Sequence, residues 1–328
     1  MMAALVRALY EGAFNLFEKP MQMLQYSLGA HRMAWVFLLP NLLIFGLFTY
    51  LPIMLNVWYA STSGDRILLG DRDWVGTANF ATLLDCGSYL DPNTCRRDLF
   101  WRAVHNTGWF VVLQVGFMIL LSLIAALILN RNIPLKGFFR AVFFYPVLLS
   151  PVVVALIWKW ILQRNGVLNA GMDWAGMDTV NWLLDPSWAF FWIVFVSIWA
   201  NMGFYVLILL AGLQAIPGDV YEAAEMDGTP AWRQLFRITL PLLTPTLLVV
   251  MVLSLIRAVQ AFDEIYVLTG GGPGSATTLL IQYIYDVGFA TRPRQFGLAA
   301  AASLLMAGVL LVLTLLQLAA TRKRAEEG

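Results

Sequence analysis

The chain has 328 residues, 60% of them apolar and only 12% charged, with a formal net charge of +1. That leaves too little polar surface for a water-soluble domain and too little net charge for a nucleic-acid binder, and it places the chain among polytopic membrane proteins. Two cysteines and two histidines give no metal-binding set.

A bilayer crossing needs about 20 mostly apolar helical residues. Six runs meet that requirement: roughly Trp35 to Trp58, Ala103 to Leu129, Phe138 to Leu162, Trp188 to Leu213, Leu242 to Phe262 and Phe296 to Ala319. Backbone polar groups must be satisfied inside lipid, and the runs lack the ten-residue alternation of a barrel, so the expected fold class is all-α with six transmembrane helices. The expected organisation is an N-terminal segment over 1–32, a six-span domain over 33–320 and a tail over 321–328. Ahead of the first span, Leu5, Val6, Leu9, Ala13, Leu16 and Phe17 recur at helical spacing and predict an amphipathic helix on the membrane surface; a frayed tail is the alternative. No cleavable leader is expected, so the first span serves as its own insertion signal.

Arg7, Lys19, Arg32, Arg131, Lys136, Arg140, Arg233, Arg237, Arg322, Lys323 and Arg324 all fall on one face of this topology. The opposite loops hold arginines offset by Asp65, Asp71, Asp73, Asp85, Asp91, Asp98, Asp173, Asp178 and Asp185. The positive-inside rule therefore predicts cytoplasmic termini. The longest polar stretch, 61–102, is then periplasmic and carries turn formers at Ser63-Gly64-Asp65 and Asp91-Pro92-Asn93. Cys86 and Cys95 lie in it, where an oxidising compartment permits a disulfide; two free thiols are the alternative. A second outer segment, Gln163 to Pro186, reads as loop with a short amphipathic piece from Leu168 to Trp174, followed by the interfacial Trp182 and Trp188. Pro146, Pro151, Pro241 and Pro245 fall in or beside apolar runs and predict kinks.

Between the fourth and fifth spans, 214–241 is polar and on the cytoplasmic side. Pro217-Gly218-Asp219 breaks the incoming helix and offers Asp219 as an N-cap. A short helix over Val220 to Met226 follows, with Glu222 and Glu225 favourably placed for its dipole, and Gly228 ends it. Glu222-Ala223-Ala224, Gly228 and Ile238-Thr239-Leu240-Pro241 reproduce the EAA-x3-G-x9-I-x-LP signature, so the chain resembles permease subunits of ATP-binding-cassette importers. LQAIP at Leu213 to Pro217 and LTGGGPG at Leu268 to Gly274 narrow the resemblance to carbohydrate importers of the maltose type.

That resemblance implies a translocation subunit that works with a second homologous permease, two ATPase subunits and a periplasmic solute-binding protein. Glu222, Ala223, Ala224, Asp227 and Gly228 are then the residues that dock the ATPase. The chain has no G-x4-GK[ST] phosphate loop, so it is expected to be non-catalytic, with ATP and Mg bound by the partner. Placed on the maltose-type pattern, Ser197, Ala200, Asn201 and Phe204 on one span and Ser254, Arg257 and Ala258 on another face a sugar-like substrate. Arg257 departs from that pattern. An arginine inside a span costs about 2.5 kcal/mol or more unless a cavity or counter-charge receives it. It predicts either an anionic cargo or an ion pair with Asp263, Glu264 or the partner permease. Asp263, Glu264, Tyr266 and the glycine run after Thr269 are expected to form a loop at the outer mouth. The rival class, a carrier coupled to an ion gradient, predicts acids within the spans, and here the acids avoid them.

Overall fold

The structure, a computed structural model, describes residues 35–326 together with positions 18, 25, 26, 29 and 33; side chains after 319, and that of residue 69, fall outside the description. The predicted surface helix over Leu5 to Phe17 lies outside the described residues, as do Arg7, Lys19 and Arg32 and the side chains of Arg322, Lys323 and Arg324. Contacts divide the chain after Trp58, inside the expected six-span domain.

Among the described residues, five helices are long and apolar enough to cross a membrane: α1 (Trp35–Ala60), α3 (Asp98–Asn130), α7 (Pro186–Gln214), α9 (Ala231–Val259) and α12, whose apolar part is Phe296–Ala319. Short α2 (Ala78–Leu84) lies between the first two. The backbone of α12 continues unbroken to Glu326, so residue 320 marks no structural boundary. The expected third span breaks between α4 (Lys136–Leu148) and α5 (Pro151–Leu162), and the helical stretches Lys136–Leu148 and Pro151–Trp174 meet at a bend of 102°. Prolines account for the break. Pro146 opens a tight 3-10 turn, Leu149 and Ser150 are extended, and Pro151 can only begin a new helix. Lys136 Nζ donates to the Asn130 carbonyl at one end, while Lys159 Nζ at the far end of α5 donates to the Val267 carbonyl.

Two other prolines are absorbed differently. Just before Pro52 and Pro241 the helix widens into a π turn, over Gly46–Tyr50 and Leu235–Thr239. Widening accommodates a residue that has no amide to donate and whose ring crowds the preceding turn. Pro241 and Pro245 thus leave α9 continuous.

Helices α3 and α7 form the centre of the larger unit, where Phe110, Met118, Ile193, Tyr205 and Leu209 are fully buried. Small residues allow the closest approaches, as expected where lipid is as apolar as the core. At Gly203 of α7 an added Cβ would stand 2.1 Å from the Phe143 carbonyl oxygen of α4. A second cluster joins α2, the start of α3 and Leu298 to Ala302 of α12.

The loop 61–97 is built around Arg72. Its guanidinium donates to the Thr62 hydroxyl (2.8 Å) and to the Gly64 and Arg66 carbonyls (3.0 and 2.6 Å), and it lies over the Tyr59 ring. Cys86 and Cys95 pair across an antiparallel bridge in this loop and their sulfurs are bonded. Charge-assisted hydrogen bonds contribute about 1.5–3 kcal/mol each. Arg72→Met is therefore expected to loosen the loop, and limited proteolysis within 61–97 should accelerate at least tenfold while the spans stay intact; an unchanged cleavage rate would show that Arg72 does not organise it.

The second outer segment holds α6 (Val167–Trp174), close to the predicted amphipathic piece. Buried Asn169 organises it, donating to the Arg164 and Val180 carbonyls and accepting from the Val180 amide and the Trp182 indole. Asp185 then caps α7 by accepting from the Ser187 and Trp188 amides.

Candidate functional site

A cavity of about 300 Å³ opens beside the break in the third span. That volume is at the lower end of the roughly 300–1,000 Å³ range of small-ligand sites. Pro146, Leu149 and Pro151 form one wall, Ser197, Ala200 and Asn201 of α7 a second, Arg257 and the residues just after α9 a third, and Gln114 of α3 completes it. Non-helical backbone at membrane depth is tolerated where it is buried in protein or lines a cavity. Here the break also leaves the first turn of α5 without a side-chain cap, so the positive end of a helix dipole sits in the wall.

The sequence-predicted residues divide into two groups. Ser197, Ala200, Asn201 and Arg257 share the cavity. Ser254 and Ala258 are buried in the bundle, with the Ser254 hydroxyl turned back onto the Met251 carbonyl. Phe204 is exposed, edge-on to Tyr205, and lines no part of the cavity. Asn201 donates to the Ser197 carbonyl at 2.9 Å.

Asp263 and Glu264 lie in the cavity wall rather than in an open loop, because Asp263–Thr269 forms a short helix, α10. The two acids occupy its first turn, where the dipole favours them, and Gly270 closes it at φ 60. Ser197 Oγ donates to Glu264 Oε1 at 3.4 Å. Burial pushes the Glu264 carboxyl above its ordinary range, against the opposing pull of its own backbone amide, Ser197 and Arg257. Among the described residues the ion pairs are Arg66–Asp71, Arg96–Asp85 and Arg102–Asp98. Arg257 is in none of them, so the expected pairing with Asp263 or Glu264 is not formed.

At the other end of the bundle, α8 (Gly218–Met226) is a two-turn helix. Its N-cap is Pro217, not Asp219, which sits in the first turn without a capping bond. Its C-terminus closes as predicted: Gly228 adopts φ 66 and the Thr229 amide reaches back to the Ala224 carbonyl at 2.9 Å. Ala224 is the buried residue of this helix, and Tyr221 ties it to Thr239 through a 3.0 Å hydroxyl contact. Glu222, Ala223, Asp227 and Gly228 are exposed, and Met226 is 89% exposed. The helix is thus fixed on one side and presents the other.

Gln114, Gln260 and the α10 acids were not among the expected site residues. A lone amide in the middle of an apolar span was the available signal for Gln114, and acids followed by a glycine stop were the signal for α10.

A family model described as "binding-protein-dependent transport system inner membrane component" matches residues 118–325. The chain is 35% identical over 299 residues to a trehalose/maltose transport system permease protein of Thermococcus litoralis, covering 90% of this chain and 95% of that one. Its fold is similar to a chain in the crystal structure of a bacterial ABC transporter that imports the acidic polysaccharide alginate, with a TM-score of 0.76, 28% identity and coverage of 92% and 99%. It is also similar to a chain of a bacterial alginate transporter in complex with an alginate-bound periplasmic protein, with a TM-score of 0.73, 27% identity and coverage of 90% and 95%.

Proposed function

The chain belongs to the family of binding-protein-dependent transport system inner membrane components, and from that premise we propose that it is the translocation subunit of an ATP-driven importer for an anionic sugar or sugar derivative. It is a multi-pass permease subunit and not an enzyme. Hydrolysis resides in a separate ATPase chain. In this reading the loops 61–97 and 163–185 face the periplasm, both termini are cytoplasmic, and a second permease faces this one. Closure of an ATPase dimer pushes on α8, and the periplasmic binding protein delivers cargo at the opposite end.

The observation that carries the cargo assignment is the guanidinium of Arg257 in the cavity wall, which forms no ion pair among the described residues. A carboxylate, sulfonate or phosphate would give it a bidentate partner. Glu264 lies in the same wall without forming an ion pair with Arg257 among the described residues. Support also comes from the alginate importer's acidic cargo. The trehalose/maltose relative and the acids of α10 favour a neutral polyhydroxylated sugar instead.

A matched pair decides between them: a uronic-acid disaccharide and its methyl ester, in which one methyl group removes the negative charge. Losing a charge-assisted hydrogen bond costs about 1.5–3 kcal/mol, or roughly 10- to 100-fold. Arg257→Ala is expected to lower uptake of the acid by that factor and leave the ester within twofold. Unchanged uptake of the acid in Arg257→Ala would overturn the anionic assignment.

A further inference from the structure

We propose that Gln114, on α3 and outside the two spans that flank the coupling segment, recognises the cargo by accepting a hydrogen bond from one of its hydroxyl groups. The inference rests on the reading of the cavity as the cargo site.

Gln114 is only 2% exposed and its side-chain carbonyl oxygen has no hydrogen-bond partner among the described residues. Buried acceptors are satisfied in native proteins with few exceptions, and an unsatisfied one calls for a reason. Other polar residues near the start of α3, partly or fully buried, have structural reasons. Asn106 donates to the Ser275 and Thr278 carbonyls, and Thr107 accepts from the Leu280 amide. Gln114 has no such bond. One turn to either side on its face stand Phe110 and Met118, both fully buried and apolar, so packing alone calls for a hydrocarbon side chain here. Other described buried polar atoms also lack partners, among them the Ser122 hydroxyl and the Gln282 carbonyl, but of these residues only Gln114 lines this cavity.

The chemistry follows from the atom. A carbonyl oxygen accepts and cannot donate, so its partner must carry O–H or N–H. It repels a carboxylate. The cavity is therefore lined by the cation of Arg257 on α9 and by Gln114 on α3, whose buried amide carries the unpartnered acceptor, with Ser197 and Asn201 of α7 also in its walls. A hydroxylated acid bound there is oriented with its anionic group toward Arg257 and a hydroxyl toward Gln114. Specificity for the hydroxyl arises because a deoxy analogue leaves the acceptor unpaired.

The test uses the full importer, with partner permease, ATPases and binding protein, in proteoliposomes. The probes are the uronic-acid disaccharide, its methyl ester and a series each lacking one hydroxyl. Gln114→Leu is expected to lower uptake of the parent acid at limiting concentration about tenfold, and one deoxy analogue should be taken up equally by the wild type and the variant. Gln114→Glu keeps the size but adds charge, and is expected to reduce uptake of the acid at least fivefold more than that of the ester. It carries the test if the leucine variant fails to copurify with its partners. Equal losses for every analogue, or no loss at all, would overturn the role of Gln114 while leaving the cargo reading intact. If the wild-type complex takes up neither acid nor ester with ATP, the cargo reading fails and this inference with it.

Discussion

Gly228→Val is expected to reduce ATP-driven uptake more than tenfold, whereas Gly228→Asn retains most of it. The contrast isolates backbone conformation from volume. An added Cβ at Gly228 meets nothing within 4 Å, so this chain has room for a side chain, but the residue sits at φ 66. A left-handed position costs an ordinary L-residue roughly 1–2 kcal/mol and a β-branched one more, while asparagine visits it readily. Valine would drive the turn out of that conformation, and the Thr229 amide would lose the Ala224 carbonyl that closes α8. The exposed face bearing Glu222, Ala223 and Asp227 would then be aimed differently while Tyr221 and Ala224 still hold its root. Uptake and ATPase copurification, measured together, separate lost docking from lost folding. Full uptake with valine would remove α8 geometry from the mechanism.

Gly203→Val is expected to lower uptake at least tenfold and to reduce the detergent-solubilised melting temperature by several degrees. The obstacle is backbone: the new Cβ would lie 2.1 Å from the Phe143 carbonyl oxygen and 2.8 Å from the Phe144 Cα. No rotamer relieves a contact with a main chain, so α4 and α7 must separate. Overpacking of this kind costs about 1–3 kcal/mol or more. The functional effect exceeds the stability effect because the displaced helix leads directly into Pro146 and Leu149, which face Ser197 and Asn201 across the cavity. Gly116→Val is the control, since that glycine of α3 is exposed and a Cβ there meets nothing within 4 Å. Equal behaviour of the two variants would show that the close approach at Gly203 is dispensable.

The six crossings were legible because a bilayer demands long apolar helices, and no competing arrangement satisfies the backbone. Boundaries were less so. Helix α3 begins at Asp98, ahead of the apolar run, because its first turn projects polar residues such as Arg102 that gain an i,i+4 partner in Asp98. The prolines announced trouble in the third span and in the fifth, yet only the pair that flanks extended Leu149 and Ser150 produces the 102° bend. Pro241 follows a π turn instead, a compensation that depends on local hydrogen bonding rather than on residue type. Spacing placed Ser254 and Ala258 with Arg257, but a helix near its end presents a narrow sector to a cavity, and Arg257 reaches it through a long side chain. The coupling segment was the most readable feature, since proline entry and a glycine stop are each local instructions, whereas the burial of Ala224, expected among the docking residues, depends on tertiary packing.

In the proposed function this bundle moves cargo when α8 receives work from a separate ATP-hydrolysing subunit. The most direct measurement is uptake into proteoliposomes holding the complete complex, with ATP inside, binding protein outside, and an imposed proton or sodium gradient as the alternative energy source. Uptake is expected only when ATP and binding protein are both present, and is expected to be lost in Gly228→Val under the same conditions. Gradient-driven uptake by this chain alone, with neither ATP nor binding protein, would contradict it.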